Sequence, residues 1–146
     1  MVGLVERVKH LTFSKDRRLV NNRQFKAVLN QRRRASDALL ALWMAQNHCG
    51  HPRLGVSVGK SCGNAVVRNR LKRLLREAFR QSQDRIPQDQ DYVLMIATAT
   101  ARQLRHPERG ATALASLTFE KVRNSFLALV GTLSSDTPAE PRDSSV

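Results

Sequence analysis

Arginine and lysine side chains around residue 70 are the groups in this sequence with the clearest chemistry. Residues 63–79 read GNAVVRNRLKRLLREAF, which places Arg68 and Arg70 early in a predicted helix and no acid before Glu77. The start of a helix carries partial positive charge and favours acidic residues, so these cations run against the local preference. Guanidinium groups and free backbone N–H groups bind phosphate well. The segment therefore indicates a phosphate-binding surface that one helix must position.

The residue types needed for metal binding or protein catalysis do not occur in suitable patterns. His48, Cys49, His51 and Cys62 match no standard zinc spacing, and turn residues with a buried thiol explain them. A protein nuclease would need clustered carboxylates or a positioned histidine pair, whereas the 12 acidic residues here are scattered. We therefore expect no catalytic residue, no metal site and no bound cofactor in the protein.

The positive charge is concentrated in two parts of the chain. The 146 residues include 25 Lys+Arg and 12 Asp+Glu, which gives a net charge of +13, and 41% of them are hydrophobic. Segments 7–34 and 60–85 have net charges of +9 and +6, so the remainder is slightly acidic. Such like charges repel one another within a fold unless a polyanion relieves them. A nucleic acid is therefore the expected partner.

Targeting and membrane signals are not found in the sequence. No apolar run is long enough to cross a bilayer, and the N-terminal residues lack a secretory hydrophobic region. The two cysteines form neither a C-x-x-C pair nor a disulfide framework. We expect a cytoplasmic protein that makes no contact with a membrane.

The first half of the chain predicts a short helix and two strands. Phe25, Val28 and Leu29 give residues 22–30 an amphipathic helical pattern, and residues 37–45 form an apolar run typical of a buried strand. Residues 53–60 alternate, with leucine and valine on one face and Gly55, Ser57 and Gly59 on the other. That nearly bare face indicates either close packing or a flat surface that a ligand can approach.

The second half predicts the basic helix, a buried strand and a final helix. Asn64 is a suitable N-cap for a helix that runs to about Gln81, with one apolar face and an adjacent basic face. Residues 92–97 read as a buried strand, preceded by Asp89 and Asp91 as ordinary loop acids. Leucine, valine and phenylalanine recur at helical spacing over residues 114–133. We expect a basic extension over residues 1–16, one domain over 17–133 and a disordered tail over 134–146.

The basic helix carries a motif that resembles the bacterial ribonuclease P protein family. The motif is Arg68-Asn69-Arg70 followed by Leu71-Lys72-Arg73-Leu74. The strand RLGVSV at residues 53–58, Arg18-Leu19 upstream and Asp91-Tyr92-Val93 downstream are similar to that family as well. The resemblance covers roughly residues 17–130, and chance agreement over such a length is far less common than over one short motif.

The resemblance implies a fold and a function. The implied fold is an α/β (α+β) two-layer sandwich, in which a mixed sheet of about four strands packs with about three helices. A left-handed βαβ crossover would contain the Arg68-Asn69-Arg70 helix. Proteins of this family bind the catalytic RNA of ribonuclease P and the single-stranded 5′ leader of precursor tRNA. The RNA performs the Mg²⁺-dependent cleavage, while the protein broadens substrate binding and lowers the Mg²⁺ requirement.

The resemblance also implies two sets of binding residues, and neither includes a catalytic or metal-binding group. The residues expected to bind the RNA subunit are Arg68, Asn69, Arg70, Lys72, Arg73 and Arg76. The residues expected to border the leader cleft are Arg18, Phe25, Trp43 and Lys60. A ribosomal or other structural RNA-binding protein, with no part in cleavage, is the alternative that the charge pattern leaves open. A helix-turn-helix protein is less favoured, because no partner helix and tight turn precede the basic helix.

Overall fold

One mixed sheet of four strands forms the centre of the computed structural model, which describes residues 17–19 and 21–135. The strands are β1 (Arg34–Ser36), β2 (Leu40–Gln46), β3 (Arg53–Ser57) and β4 (Gln90–Ile96). Their spatial order is β1-β2-β4-β3, with β3 parallel to β4 and the other neighbours antiparallel. The predicted extension over residues 1–16 and the predicted tail from residue 136 onward lie outside the described residues.

Within the described residues, five α-helices accompany the sheet, whereas about three were predicted. They are α1 (Asn22–Asn30), α2 (Ala65–Ser82), α3 (Thr98–Arg105), α4 (Gly110–Ser116) and α5 (Phe119–Ser135). Short 3₁₀ turns over Lys60–Cys62 and Gln83–Arg85 flank α2. Among the described residues, no helix has the length and apolar character needed to cross a membrane.

The two faces of the sheet pack against different helices. Leu42, Met44 and Leu94 belong to the main core, which they form together with buried residues of α2 and α5. Neighbouring positions on the same strands, Ala45 and Val93, belong to a smaller cluster with α1. This alternation follows from the two-residue period of a strand. The predicted α+β fold around a mixed sheet is confirmed, with α2 and α5 on one face and α1 on the other.

Helix α2 begins and packs as its sequence predicts. The Asn64 side chain accepts a hydrogen bond of 3.0 Å from the Val67 N–H. Leu71, Leu75 and Phe79 are buried on one side of the helix. Helix α2 connects the neighbouring parallel strands β3 and β4, which confirms the predicted crossover. The left-handed sense of that crossover stays a prediction.

The C-terminal third differs from the single helix predicted over residues 114–133. Leu114 lies in α4, and the last helix begins only at Phe119 and extends to Ser135, two residues into the predicted tail. The break between α4 and α5 has a local cause. The Thr118 hydroxyl accepts from the Lys121 N–H at 3.3 Å and so caps the start of α5.

Asp91 is a buried strand residue, so its prediction as a loop acid is wrong. Its two carboxylate oxygens accept hydrogen bonds of 2.8 and 2.7 Å from Arg53 Nε and Nη2. Asn47 Nδ2 donates a further bond of 2.7 Å to the same carboxylate. The hydrogen bonds that Arg53 donates to Asp91 are the main cause of the raised pKa of Arg53. This network joins β3, β4 and the end of β2, which explains why a carboxylate is buried there.

Candidate nucleic-acid interface

A groove of about 1040 Å³ runs along the exposed side of α2, and five of the eleven residues described as lining it are arginines. Helical periodicity aligns its α2 residues, because positions three and four apart lie on the same side of a helix. From the predicted RNA-subunit set, the groove contains Asn69, Arg70, Arg73 and Arg76. Asn69, Arg70 and Arg73 are exposed, and Arg76 is half-buried. These four side chains form one continuous surface that can bind phosphates.

Arg68 and Lys72 lie outside the lining of this groove. The Arg68 Nε–H donates to the Gly63 carbonyl at 3.2 Å, which fixes the side chain near the start of α2. Burial raises the pKa of the Cys62 thiol, whereas a hydrogen bond with Ser61 and the charges of Arg105 and Arg68 oppose that rise. Arg68 is therefore directed toward the 3₁₀ turn before α2, where Arg105 of α3 adds a cation that the sequence did not identify.

Arg18 also lines the α2 groove, whereas the family resemblance implied a place for it in the leader cleft. The reason is its pairing with the edge strand. Arg18 forms a parallel bridge with Leu54, and the next residue donates its N–H to the Leu54 carbonyl at 2.9 Å. Paired residues point to the same face of a sheet, and Leu54 points into the core beneath α2. Leu19, the next residue, consequently points to the α1 side.

The groove carries far more positive than negative charge. Burial lowers the pKa of Arg76, and the nearby charge of Arg18 lowers it further. Glu77 is the single acid among the residues described as lining the groove, and both of its oxygens are engaged by α2 neighbours. The hydrogen bond from Arg80, followed by that from Gln81, lowers the pKa of Glu77. An incoming phosphate would therefore meet arginines whose mutual repulsion it relieves.

Phe25 lies on the opposite face of the sheet, against the bare side of β3. A Cβ atom on Gly55 would lie 2.5 Å from Phe25 Cζ, closer than two such atoms can approach. The glycine thus permits the ring of α1 to pack directly on the strand backbone. Close packing, one of the two interpretations left open for this strand, accounts for Gly55, while Ser57 remains exposed on the same strand.

Trp43 shares that face with Phe25 and is half-buried in the α1 cluster. Across the sheet, Arg34 pairs with Trp43, Trp43 with Val93, and Val93 with Gly55. The Arg34 guanidinium lies 5.0 Å from the centre of the indole. One row of the sheet therefore contains Arg34, Trp43, Val93 and Gly55 in that order. The Arg34 guanidinium lies over the Trp43 ring, and the Phe25 ring packs on Gly55. A shallow cavity of about 340 Å³ adjoins this row, with Arg34 and Trp43 in its lining.

The remaining predicted cleft residue and the rest of the arginine run have separate positions. Lys60 is exposed in the 3₁₀ turn that follows β3. Arg33, next to Arg34, turns the other way and donates to Gln90 Oε1 at 3.1 Å and to the Leu133 carbonyl at 3.4 Å. Strand alternation explains why Arg34 lies over Trp43 on one face of the sheet while Arg33 reaches α5 on the other.

Within residues 17–19 and 21–135, no group of three or more His, Cys, Asp or Glu residues is arranged to hold a metal ion. Cys49 is exposed and Cys62 is buried, and both thiols are free.

The known proteins to which this chain is similar are ribonuclease P proteins. The family model for ribonuclease P matches residues 13–131, most of the chain. The ribonuclease P protein component of Syntrophus aciditrophicus is 38% identical over 94 residues, which is 64% of this chain and 79% of that relative. That of Haemophilus influenzae is 46% identical over 78 residues, which is 53% of this chain and 66% of that relative.

Solved structures share the fold. The ribonuclease P protein from Thermotoga maritima has a TM-score of 0.66 at 25% identity, with 79% of this chain and 96% of that chain covered. The Staphylococcus aureus protein has a TM-score of 0.62 at 24% identity, with 80% and 94% covered. With a family match over most of its length and an Arg-Asn-Arg helix exposed beside a cationic groove, the chain belongs to the ribonuclease P protein family, the RNA-binding subunit of the RNA-catalysed endoribonuclease that matures the 5′ end of tRNA.

Proposed function

We propose that this chain binds the catalytic RNA of ribonuclease P through α2 and the 5′ leader of precursor tRNA through the opposite face of the sheet. The observation that carries the proposal is the separation of the two surfaces. The α2 groove offers arginines, which suit the phosphates of a folded RNA. The face with Phe25, Trp43 and Arg34 combines aromatic rings with a cation, which suits a single strand.

In this proposal the protein contributes binding rather than chemistry. It holds the leader beside the catalytic RNA, so precursor tRNA binds more tightly than mature tRNA. The positive charge of the protein also replaces part of the counterion atmosphere of the RNA. Fewer Mg²⁺ ions are then needed for folding and substrate binding, although Mg²⁺ still serves the RNA in cleavage. We assign no metal ion to the protein.

The primary test is cleavage of precursor tRNA at low Mg²⁺ by a bacterial ribonuclease P RNA, with and without the protein. We expect cleavage to depend on the protein at low Mg²⁺ and to become less dependent on it as Mg²⁺ rises. Absence of stimulation would refute the role in cleavage and leave a structural RNA-binding protein. Cleavage by the protein alone would refute the assignment of catalysis to the RNA.

Paired variants test the assignment of each surface. The double variant Arg70→Ala and Arg73→Ala should weaken binding of the RNA subunit, since both exposed side chains line the groove. Trp43→Ala should weaken binding of precursor tRNA by the reconstituted holoenzyme and leave binding of mature tRNA unchanged. A matched control removes the same charge elsewhere, with Arg85→Ala and Arg109→Ala at exposed positions. Equal losses in the control and the groove variant would contradict a localised site.

We also propose that the protein acts in the cytoplasm. Both cysteines are free thiols, and one of them is exposed, which suits a reducing compartment. Fractionation of cells that express a tagged chain should recover it together with ribonuclease P RNA. Recovery in a membrane or secreted fraction would contradict the proposal.

A further inference from the structure

Part of the lining of the α2 groove is apolar, which binding of phosphates alone does not explain. Val66, Leu74 and Phe119, here called the floor, line the groove together with the arginines, here called the rim. Val66 is 78% exposed and is the one large hydrophobic residue of the described chain that is so exposed. Exposed apolar side chains among charged ones are a common sign of a binding site with an apolar occupant.

Phe119 is the aromatic member of this floor and comes from outside the Arg-Asn-Arg helix. It is the first residue of α5 and is half-buried, so part of its ring remains accessible. The Arg123 guanidinium, one helical turn further, lies 5.4 Å from the centre of the ring. A cation over one part of an aromatic ring holds that ring in place. The groove that Arg70 and Arg73 line therefore also contains an aromatic ring that Arg123 holds in place.

We propose that the groove binds one unpaired nucleotide of the catalytic RNA, with its base against Phe119 and its phosphate on Arg70 and Arg73. The inference rests on the proposed docking of the RNA subunit at α2 and adds a base-stacking contact to it. Every nucleobase has a π-face that stacks on an aromatic side chain. A base inside a duplex has both faces covered by its neighbours, so the occupant must be an unstacked nucleotide.

The charges around the floor favour a nucleotide over a peptide. Phe119 shares the groove with five arginines, while the single described acid of the groove, Glu77, is engaged by Arg80 and Gln81. A nucleotide supplies a negative phosphate and an apolar ring within one unit, which matches the pairing of rim and floor. The cavity of about 1040 Å³ is large enough for a nucleotide and its neighbouring phosphates.

Conservative substitutions of Phe119 test the stacking contact. Phe119→Leu keeps an apolar side chain but removes the ring, and we expect it to weaken binding of ribonuclease P RNA by about 5- to 150-fold. Phe119→Tyr keeps the ring and should bind like the wild type. Leu127→Ala is the matched control, because Leu127 is half-buried on the same helix and packs on the same core outside the groove. We expect that control to leave RNA affinity unchanged.

Salt titration separates stacking from charge contacts. Stacking releases no counterions, so Phe119→Leu should lower affinity at every salt concentration without changing the slope of log Kd against log salt. Arg70→Ala should make that slope shallower by about 0.7–0.9. If Phe119→Leu binds like the wild type while Arg70→Ala binds weakly, the stacking inference fails and the docking proposal survives. If neither variant weakens binding, the docking proposal fails as well.

A fluorescent side chain gives a direct measurement of the contact. In a Trp43→Phe background, Phe119→Trp places the only tryptophan in the groove. Addition of ribonuclease P RNA should quench its emission through base stacking, whereas Leu127→Trp in the same background should show little change. Quenching that is equal at the two positions, or absent from position 119, would overturn the inference.

Discussion

Gly55 shows how much one missing side chain decides about the sheet face that we propose binds the leader. The Phe25 ring occupies the space that a Cβ atom at Gly55 would need. The ring can therefore rest on the backbone of β3, in the same row of the sheet as Trp43 and Arg34. The position of the aromatic residue in α1 thus depends on a residue in a strand that is distant in sequence.

Gly55→Ala should displace Phe25 and lower both stability and leader binding. Overpacking of this kind costs about 1–3 kcal/mol of unfolding free energy. We expect precursor tRNA to bind the reconstituted holoenzyme about tenfold more weakly, while mature tRNA is unaffected. Gly59→Ala is the control, because a Cβ there would approach nothing closer than Ser61 Oγ at 4.0 Å. An unchanged ratio of precursor to mature tRNA affinity in the Gly55 variant would contradict the placement of Phe25 in the cleft.

Asp91→Ala should destabilise the fold through the charge it leaves behind. The variant would leave the Arg53 guanidinium, whose side chain is 21% exposed, without its carboxylate partner. We expect the free energy of unfolding to fall by about 3 kcal/mol. This is the low end for a broken buried ion pair, because Arg53 is partly exposed. Urea unfolding measures it, with the exposed Asp89→Ala as a control near zero. Equal midpoints for the two variants would show that the pair contributes no stability.

At the level of elements, a residue just after α1 has a backbone conformation that costs free energy and that glycine would adopt more easily. Arg32 has a φ of 61°, in the left-handed region that favours glycine, and its N–H donates to the Leu29 carbonyl at 3.1 Å. The preceding residue, Gln31, has a right-handed conformation with a φ of −71°. The chain thus leaves α1 through a turn that a non-glycine residue adopts at a cost.

Arg32→Gly should therefore stabilise the protein by about 0.5–1 kcal/mol, net of the greater freedom of glycine in the unfolded chain. Gln31→Gly is the matched control and should destabilise by about 1 kcal/mol, because its conformation needs no glycine. Thermal unfolding at equal protein concentration distinguishes the two. Destabilisation by both variants would mean that the backbone of Arg32 carries no strain.

The segment between β1 and β2 is linked to α5 by a single carboxylate. Asp37 Oδ1 accepts from the Leu39 and Leu40 N–H groups, each at 2.8 Å, and Oδ2 accepts from the Ser125 hydroxyl at 2.5 Å. Burial alone would raise the pKa of Asp37, but the hydrogen bonds from Ser125, Leu40 and Leu39 outweigh it and lower the pKa. The ionised form therefore stabilises the folded state.

This pKa shift predicts a loss of stability in acid. Because the folded pKa lies below the unfolded one, the contribution of Asp37 is complete above about pH 4 and disappears as pH falls through the folded pKa. Asp37→Asn should cost about 1 kcal/mol at pH 7, since the side chain is solvent-exposed, and less below pH 3. Unfolding in urea at both pH values measures the difference, with Glu108→Gln as an exposed control. A cost that does not change with pH would contradict the linkage.

At the level of the whole molecule, charge placement should dominate RNA affinity. The chain has a net charge of +13, the described groove carries five arginines and one acid, and aromatic residues make up only 5% of the chain. Contacts to phosphates should therefore outnumber contacts to bases, which implies strong salt dependence and little selection of sequence.

Neutralisation of about eight phosphates predicts a slope of about −6 to −7 for log affinity against log salt. Filter binding of ribonuclease P RNA over a range of salt concentrations measures this slope. The double variant Arg70→Ala and Arg73→Ala should make it shallower by about 1.4–1.8. A slope near zero in the wild type would contradict an electrostatic interface.

Features that depend on nearby residues could be predicted from the sequence. One continuous segment of the chain encodes α2, including its span, its Asn64 cap, its buried face and the Arg-Asn-Arg motif. The structure confirms the helix, its cap and its packing. Capping and helical periodicity are local, so the residues that produce them lie within a few positions of one another. The motif also indicated the family, which the family match confirms.

Features that depend on pairing between distant residues could not be predicted from the sequence, because only the folded chain brings those residues together. Arg18 faces the α2 groove because it pairs with Leu54, and Asp91 is buried because β4 places it beside Arg53. Phe119 joins the groove because α5 packs against α2, a contact between elements that no short pattern records. The register of a strand decides which face each side chain takes, and a shift of one residue would reverse it. The sequence thus supplied the binding groups, and tertiary packing sorted them into two surfaces.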